Sequence, residues 1–266
     1  MSKLIDQASL REDPYNNASN QDARTQLHRR FSINKIRWTN WIFDRLQLPA
    51  RSRILDLSCG PGDLWRDNLQ RIPGGWYVTL CDFSPGMLRQ AQDNLRAYRY
   101  FAFEVIDAET IPCENESFDA VIANSVLYHV ADRPKLLSEI YRVLKPGGRL
   151  YATTYGRNHL REIRELIGAI DPDADLMNAA SEFGLENGFD QLSQFFPSVK
   201  LHRYQDALIV TEVEPLVAYI LSTKRSALLN ERPNALAYLI QHKLKVEGAV
   251  FVTKDGGMFE AIKQDV

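Results

Sequence analysis

The sequence predicts an α/β protein built on a mostly parallel sheet of seven strands, with helices on both faces. Between residues 50 and 155, short apolar runs alternate with stretches that have helical spacing. The run 118–123 is apolar apart from Asp119, as in a strand that is covered on both faces. A glycine-rich turn, Gly60-Pro61-Gly62, follows the first run. Strands that alternate with helices in this way indicate βαβ units with right-handed crossovers.

The individual elements are predicted from apolar spacing and from end signals. Residues 19–48 fit a helix that is interrupted near 32–34. Ser84 is predicted to cap a helix that starts with Pro85, and Asp132 to cap one that ends at the Lys-Pro-Gly-Gly run 145–148. Further helices are predicted at 63–71, 158–170, 212–222 and 232–246. Strands are predicted at 53–57, 76–81, 101–106, 118–123, 149–154, 199–210 and 249–253, with a turn at 255–257 after the last.

These elements group into four regions. We expect an N-terminal arm and helical lid at 1–48, a cofactor-binding α/β core at 49–156 and a small helical cap inserted after the fifth strand at 157–198. Residues 199–266 are expected to complete the sheet. Because only the two flanking segments can cover the open edge of the core, we predict a mobile lid over 15–45 that closes on a bound ligand.

Composition limits the class of partner. The chain has 266 residues, a formal net charge of -2, 45% hydrophobic and 25% charged residues, which are ordinary globular values. A broad nucleic-acid interface normally needs a basic excess, and a bilayer-spanning helix needs about 20 apolar residues in a row. We therefore expect a cytoplasmic protein without a nucleic-acid or membrane partner. Cys59, Cys81 and Cys113 lack C-x-x-C spacing, so neither a disulfide nor a zinc site is expected.

Three strand ends carry the candidate ligand site. The first strand ends near Asp56 and is followed by Gly60 and Gly62, which allow backbone to approach a ligand closely. Trp65 stands where a dinucleotide motif has its third glycine, so the loop could also be only a tight turn. Asp82 ends the second strand and could accept both hydroxyls of a ribose, or merely cap the next helix. Asp107-Ala108 follow the third strand at the same edge, and together these ends predict a nucleoside-like ligand.

Five segments, in order, resemble motifs of the class I S-adenosylmethionine-dependent methyltransferases. They are ILDLSCGPG at 54–62, LCDFSPGML at 80–88, DAE at 107–109, FDAVIAN at 118–124 and VLKPGG at 143–148. The similarity covers about 50–155 and is greatest to the small-molecule group that includes the ubiquinone/menaquinone type. It implies a Rossmann-like fold, S-adenosylmethionine as cofactor, S-adenosylhomocysteine as product and metal-independent methyl transfer to an O, N, C or S atom of a small molecule.

The resemblance also implies roles for residues at the cofactor site. Gly60 and Gly62 would border the methionine part, Asp82 would bind the ribose, and Asn124 and Ser125 would line the floor near the sulfonium. Phe83 and Met87 would flank the adenine, and Asp107 and Ala108 would hold its edge. Asp56 and Ser58 complete the expected cofactor-binding set. The family commonly has glycine where this chain has Ser58, and serine there costs about 1 kcal/mol if φ is positive.

Candidates for the acceptor side follow the fourth strand and lie on the N-terminal helix. His129 is placed to act as a general base or to hold the backbone as a structural histidine. Tyr128 is a candidate wall residue, and the helix offers Tyr15, His28, Phe31 and Trp38 as contacts to a small-molecule substrate. Two alternatives stay open: a non-catalytic S-adenosylmethionine-binding protein and a nicotinamide-dependent oxidoreductase. The missing third glycine argues against the second of these.

Overall fold

The sheet has seven strands, as the sequence predicts. The computed structural model describes residues 18–106, 110–174, 176, 179–223 and 227–265, with side chains from Thr25 onward except those of Ala179 and Ala227. The strand order is β3-β2-β1-β4-β5-β7-β6. The strands are β1 (Arg53–Asp56), β2 (Tyr77–Cys81), β3 (Phe101–Glu104), β4 (Phe118–Asn124), β5 (Leu144–Tyr155), β6 (Ser198–Val210) and β7 (Val250–Ile262). The first five run parallel, whereas β7 is antiparallel to both β5 and β6.

Ten α-helices are assigned in the described part of the chain. In order they are α1 (Ala18–Phe31), α2 (Trp38–Phe43), α3 (Asp63–Arg66), α4 (Pro85–Leu95), α5 (Arg133–Val143), α6 (Arg161–Ile170), α7 (Gly188–Leu192), α8 (Val213–Ser222), α9 (Ala227–Glu231) and α10 (Pro233–Glu247). Single 3-10 turns occur at Leu69–Arg71, Leu127–His129 and Ala179–Ser181. None of the helices in these described ranges is long and apolar enough to cross a membrane.

The predicted caps are present. The Ser84 side chain accepts a hydrogen bond from the Met87 backbone N–H, and Asp132 accepts one from the N–H of Lys135. Each satisfies an N–H group that a helix start would leave without a partner. The predicted break in the N-terminal helix is also present, because α1 ends at Phe31 and α2 begins at Trp38.

Both faces of the central strands are buried, which explains their apolar character. On β1 and β4, Ile54 and Ile122 pack into the cluster that contains Trp65. Leu55 and Val121 point the other way, into the cluster that contains Leu136 of α5. Successive side chains of a strand face opposite sides, so a strand with two buried faces has no polar period.

The predicted turn at 255–257 is wrong. Gly256 and Gly257 lie inside β7, opposite Tyr204 and Arg203 of β6. A Cβ on Gly257 would be 2.7 Å from the backbone oxygen of His202. The glycine therefore allows close approach of two strands, a use that the local sequence does not distinguish from a turn.

The boundary between α5 and β5 also differs from the prediction. The Lys-Pro-Gly-Gly run was expected as a connection, but β5 already begins at Leu144 and pairs with Phe118 before a shift in register. Pairing resumes between Ala120 and Arg149, where the sequence placed the start of the strand. The run is an irregularity within the strand rather than a loop before it.

Candidate active site

The loop after β1 needs its glycines. Gly60 has a φ of 53° and Gly62 a φ of 78°, in the left-handed region that favours glycine. A Cβ on Gly62 would lie 2.9 Å from Cδ1 of Leu95, whereas the space around Gly60 is open. Ser58 is not among the residues with positive φ, so the strain considered for serine at this position does not arise.

Asp82 joins the end of β2 to this loop. Its side chain is buried, and its two oxygens accept hydrogen bonds from the backbone N–H groups of Gly60, at 3.0 Å, and Ser84, at 2.9 Å. Burial raises the pKa of its carboxyl group. A carboxylate has about four acceptor positions, so two bonds leave capacity for a ligand hydroxyl. The residue is both a local cap and an available acceptor.

Asp56 at the end of β1 is a buried acid with one unused oxygen. Its Oδ2 accepts a 2.8 Å hydrogen bond from Nε1 of Trp65. Its Oδ1 is buried without a hydrogen-bond partner. Burial raises the pKa of this carboxyl group to about 7. Since buried acceptors are normally paired, the free oxygen marks a place where a donor or cationic ligand group fits.

The end of β4 is held by a small hydroxyl cluster. Ser125 adopts a φ of 56°, which is rare for a residue with a side chain. Its backbone N–H donates to Oγ1 of Thr153 at 2.9 Å, and that hydroxyl donates to Oδ1 of Asn124 at 2.6 Å. Strained backbone that neighbouring bonds hold in place is common at functional sites.

The other cofactor candidates divide into described and undescribed residues. Met87 is buried in the first turn of α4, and Phe83 is half-buried just before that helix. Both therefore lie at the carboxyl edge of β2, and their contact with an adenine stays a prediction. Asp107, Ala108 and Tyr15 lie outside the described residues.

A cavity of about 530 Å³ lies between the N-terminal helices and the sheet. Its aromatic wall consists of Trp38, Tyr155 and Tyr204. The Trp38 ring is 5.1 Å from Tyr204 and 6.5 Å from Tyr155, centre to centre. Asp63, which directly follows Gly62, also lines the cavity. Tyr155 is hydrogen-bonded to the Ser125 side chain. The cavity therefore adjoins the glycine loop through Asp63 and the end of β4 through Tyr155.

Two histidines line the cavity. His28 of α1 packs edge-on against Tyr219, 5.5 Å between ring centres, and its Nδ1 is buried without a partner. Burial, with a contribution from Lys254, lowers the pKa of His28 to about 3. Burial also lowers the pKa of His159, whose ring stacks on Tyr155 at 4.1 Å. Both imidazoles are therefore neutral at physiological pH.

The predicted acceptor residues separate in the structure. His28 and Trp38 line the cavity, whereas Phe31 is buried in the cluster that contains Leu27 and Leu208. Tyr128 is buried, and its ring centre is 6.2 Å from that of Tyr155. The ring centre of His129 is 4.5 Å from that of Tyr128. Neither Tyr128 nor His129 is among the described lining residues.

Sequence reasoning missed most of the lining residues, among them Tyr155, His159, Tyr204 and Lys254. Tyr155 ends β5 at the edge where ligands bind in parallel sheets, and this position was a usable signal. Tyr204 and Lys254 lie within two long antiparallel strands, and no local pattern distinguishes them from other strand residues.

The cysteines are unpaired. Cys59, Cys81 and Cys113 form no disulfide, and burial raises the pKa of each thiol. Within the described ranges, no group of three or more His, Cys, Asp or Glu side chains could hold a metal ion. Independence of metal stays a prediction for the complete chain.

Fold and strand ends together define the class of protein. A parallel sheet with one antiparallel strand next to its edge, a glycine loop after β1 and an acid after β2 are the features of a Rossmann-like α/β domain. Residues 55–152 match the family model described as a methyltransferase domain. Residues 55–152 thus form a methyltransferase domain, and this part of the chain is similar to the class I S-adenosylmethionine-dependent enzymes of the ubiquinone/menaquinone group.

Known proteins support this assignment over part of the chain. A malonyl-[acyl-carrier protein] O-methyltransferase of Enterobacter lignolyticus is 38% identical over 130 residues, 47% of this chain and 48% of that protein. A ubiquinone/menaquinone biosynthesis C-methyltransferase of Methylococcus capsulatus is 31% identical over 131 residues, 48% and 53% respectively. The chain therefore spans about half the length of these curated relatives.

A solved structure extends the likeness in fold to the complete chain. Phosphoethanolamine N-methyltransferase 2 of Haemonchus contortus, solved with S-adenosyl-L-methionine, superposes with a TM-score of 0.60 at 20% identity. The superposition covers 100% of this chain and 61% of that protein. At this identity the comparison concerns the fold alone.

Proposed function

We propose that the protein transfers a methyl group from S-adenosylmethionine to a small organic acceptor that binds in the cavity lined by Trp38, Tyr155 and Tyr204. The observation that carries the proposal is the shared wall between this cavity and the strand ends. Asp63 continues the glycine loop into the lining, and Tyr155 connects the lining to Ser125. An acceptor in the cavity would lie beside the cofactor edge, which is what alignment of the reacting atoms requires.

The residues at the strand ends fit the cofactor. Gly60 and Gly62 let backbone approach the ligand, and the acceptor capacity of Asp82 suits ribose hydroxyls. The free, buried Oδ1 of Asp56 suits a charged amino group, which would hold the carboxylate ionised. Phe83 and Met87, with Asp107 and Ala108, complete the proposed cofactor set. When bound, S-adenosylmethionine supplies a methyl group on a positively charged sulfur that leaves with the bonding electron pair.

The chain contributes alignment and, for an acceptor that loses a proton, a base. We propose Asn124 and Ser125 as the floor below the transferred group, and Tyr128 with His129 as the adjoining wall. His129 stays our candidate base, because His28, with a pKa of about 3, is too weakly basic for proton transfer near neutral pH. His28 and Trp38 instead serve as contacts to the acceptor. We also expect that the acceptor is a small molecule, that the protein has no nucleic-acid partner and that it is cytoplasmic.

Binding and turnover test the proposal separately. Calorimetry should show S-adenosylmethionine and S-adenosylhomocysteine binding without added metal, in buffer that contains a chelator. Incubation with a metabolite library should then yield S-adenosylhomocysteine in an acceptor-dependent way. No heat from either nucleoside with folded protein would contradict the proposal. Binding without turnover on any acceptor would support the non-catalytic alternative.

A further inference from the structure

The segment 32–37 between α1 and α2 is fixed to β6. The N–H of Ile33 donates to the carbonyl oxygen of Ala207 at 3.0 Å, and the N–H of Asn34 donates to Asp206 at 3.0 Å. The hydroxyl of Tyr204 donates to the carbonyl oxygen of Ile36 at 2.7 Å. These bonds fix the backbone of residues 32–37, which form part of the cavity rim. They therefore fix the positions at which the exposed side chains of Lys35 and Arg37 are attached.

The rim carries a local excess of positive charge. Among the described lining residues, three cations have carboxylate partners: Arg30 with Glu212, Arg66 with Asp63, and Lys254 with Asp206. Arg29, Lys35 and Arg37 also line the cavity, and no carboxylate in the described part of the chain pairs with them. All three are exposed. The excess stands out because the whole chain has a formal net charge of -2.

The interior of the cavity does not share this charge. His28 and His159 are neutral, and Lys254 is neutralised by Asp206 at 2.5 Å. The aromatic rings of Trp38, Tyr155 and Tyr204 also line the cavity, and its two lining carboxylates, Asp63 and Asp67, both pair with Arg66. A ligand with an aromatic or apolar body and a negative end would match a neutral interior below a cationic rim.

We propose that this cavity selects acceptors that carry an anionic oxygen group, a carboxylate or a phosphate, bound by Arg29, Lys35 and Arg37 at the rim. The inference rests on the proposed function and names its substrate class. Arginine and lysine form charge-assisted hydrogen bonds with such groups, and arginine can bind them in a bidentate way. The atom to be methylated would lie at the opposite, inner end of the acceptor, toward Tyr155 and Ser125.

Titration by ligand-observed nuclear magnetic resonance tests the inference with three probes: benzoate, phenyl phosphate and benzamide. The rim variant is Arg29→Gln/Lys35→Gln/Arg37→Gln. The control variant Lys200→Gln/Arg232→Gln/Lys245→Gln removes three exposed cations that do not line the cavity. Both variants change the net charge equally, and circular dichroism checks that both fold.

The two anions should bind the parent and the control variant equally, with affinity that falls as salt rises. The rim variant should bind them at least about 30-fold more weakly, since loss of charged hydrogen bonds has effects of that order. Comparison of benzoate with phenyl phosphate shows which anion the rim prefers. Equal binding of benzamide and benzoate, no difference between the two variants, or no binding of any probe would overturn the inference.

Titration of S-adenosylhomocysteine on the same samples separates this inference from the proposed function. If the nucleoside binds all three proteins and the anions do not bind, only the inference fails. If the anions bind as expected and the nucleoside does not, the proposed function fails.

Discussion

Two buried carboxylates show how differently the two sides of the molecule are built. Asp206 on β6 binds Lys254, the Ser32 hydroxyl and the Asn34 N–H, and these interactions, against the effect of burial, leave its pKa below the ordinary value. Asp56 on β1 accepts hydrogen bonds from the Trp65 side chain and from the backbone N–H of Ser58, and burial raises its pKa to about 7. Asp206 is satisfied within the protein, whereas Asp56 has an oxygen without a partner. The difference indicates a structural role for Asp206, which we call the anchor because it holds residues 32–34 on β6, and a ligand site at Asp56.

The largest effect is expected for the anchor. Asp206→Ala should lower the free energy of unfolding by about 3 kcal/mol or more, because it leaves Lys254 buried without its partner. Urea unfolding monitored by circular dichroism measures this loss. Glu247→Ala, which breaks the exposed pair with Lys243, should cost less than about 1 kcal/mol. Equal losses in the two variants would show that Asp206 is no anchor.

Asp56→Asn should raise the free energy of unfolding at pH 8 rather than lower it. The folded-state pKa of Asp56 lies above its unfolded value, so its contribution to stability is complete at low pH and is lost as pH rises through about 7. Three pKa units correspond to at most about 4 kcal/mol. In unfolding experiments without ligand, Asp56→Asn should therefore be more stable than the parent at pH 8. Lower stability of the variant at pH 8 would mean that the ionised carboxylate is well solvated.

Asp82→Ala should weaken ligand binding and leave the attachment of residues 32–37 to β6 unchanged. Loss of hydrogen bonds to a ribose should weaken S-adenosylhomocysteine binding about 10- to 100-fold in calorimetry. Asp119→Ala is the matched control, since that acid lies near the start of β4 at the opposite edge of the sheet and pairs with Lys145. Unchanged affinity in folded Asp82→Ala would show that Asp82 only accepts local hydrogen bonds from the backbone of Gly60 and Ser84.

The smallest effect is expected for Ser58→Gly. Because Ser58 does not have a positive φ, glycine should relieve no strain, and affinity for S-adenosylhomocysteine should stay within about twofold of the parent. A marked loss of affinity would reveal a specific contact of the serine hydroxyl.

The two sides also differ in how far the sequence predicts them. Asp56, the glycine loop and Asp82 lie at strand ends that short local patterns define, so their convergence at one edge follows from βα alternation alone. The cavity combines His28, Tyr155 and Lys254, which are more than a hundred residues apart at the extremes. Only the antiparallel pairing of β6 and β7 brings Lys254 to Tyr204, and that pairing was hidden by a turn-like Gly256-Gly257.

The N-terminal segment shows the same limit. The sequence predicts a mobile lid over residues 15–45 because only the two flanking segments can cover the open edge of the core. Contacts with β6 fix residues 32–37, and these depend on Asp206 and Tyr204, which lie far along the chain. The anchoring therefore favours a fixed rim in this part of the segment, whereas the closing motion of the lid stays a prediction.

Hydrogen exchange with and without S-adenosylhomocysteine tests the distinction between ligand edge and anchored rim most directly. The amides of 57–62 and 82–88 should gain protection when the nucleoside binds, because the ligand covers these strand ends. The amides of Ile33 and Asn34 should exchange slowly in both states, since β6 already binds them. Fast exchange of 32–37 that slows only with ligand, without a change at 57–62 and 82–88, would contradict this account and indicate a lid.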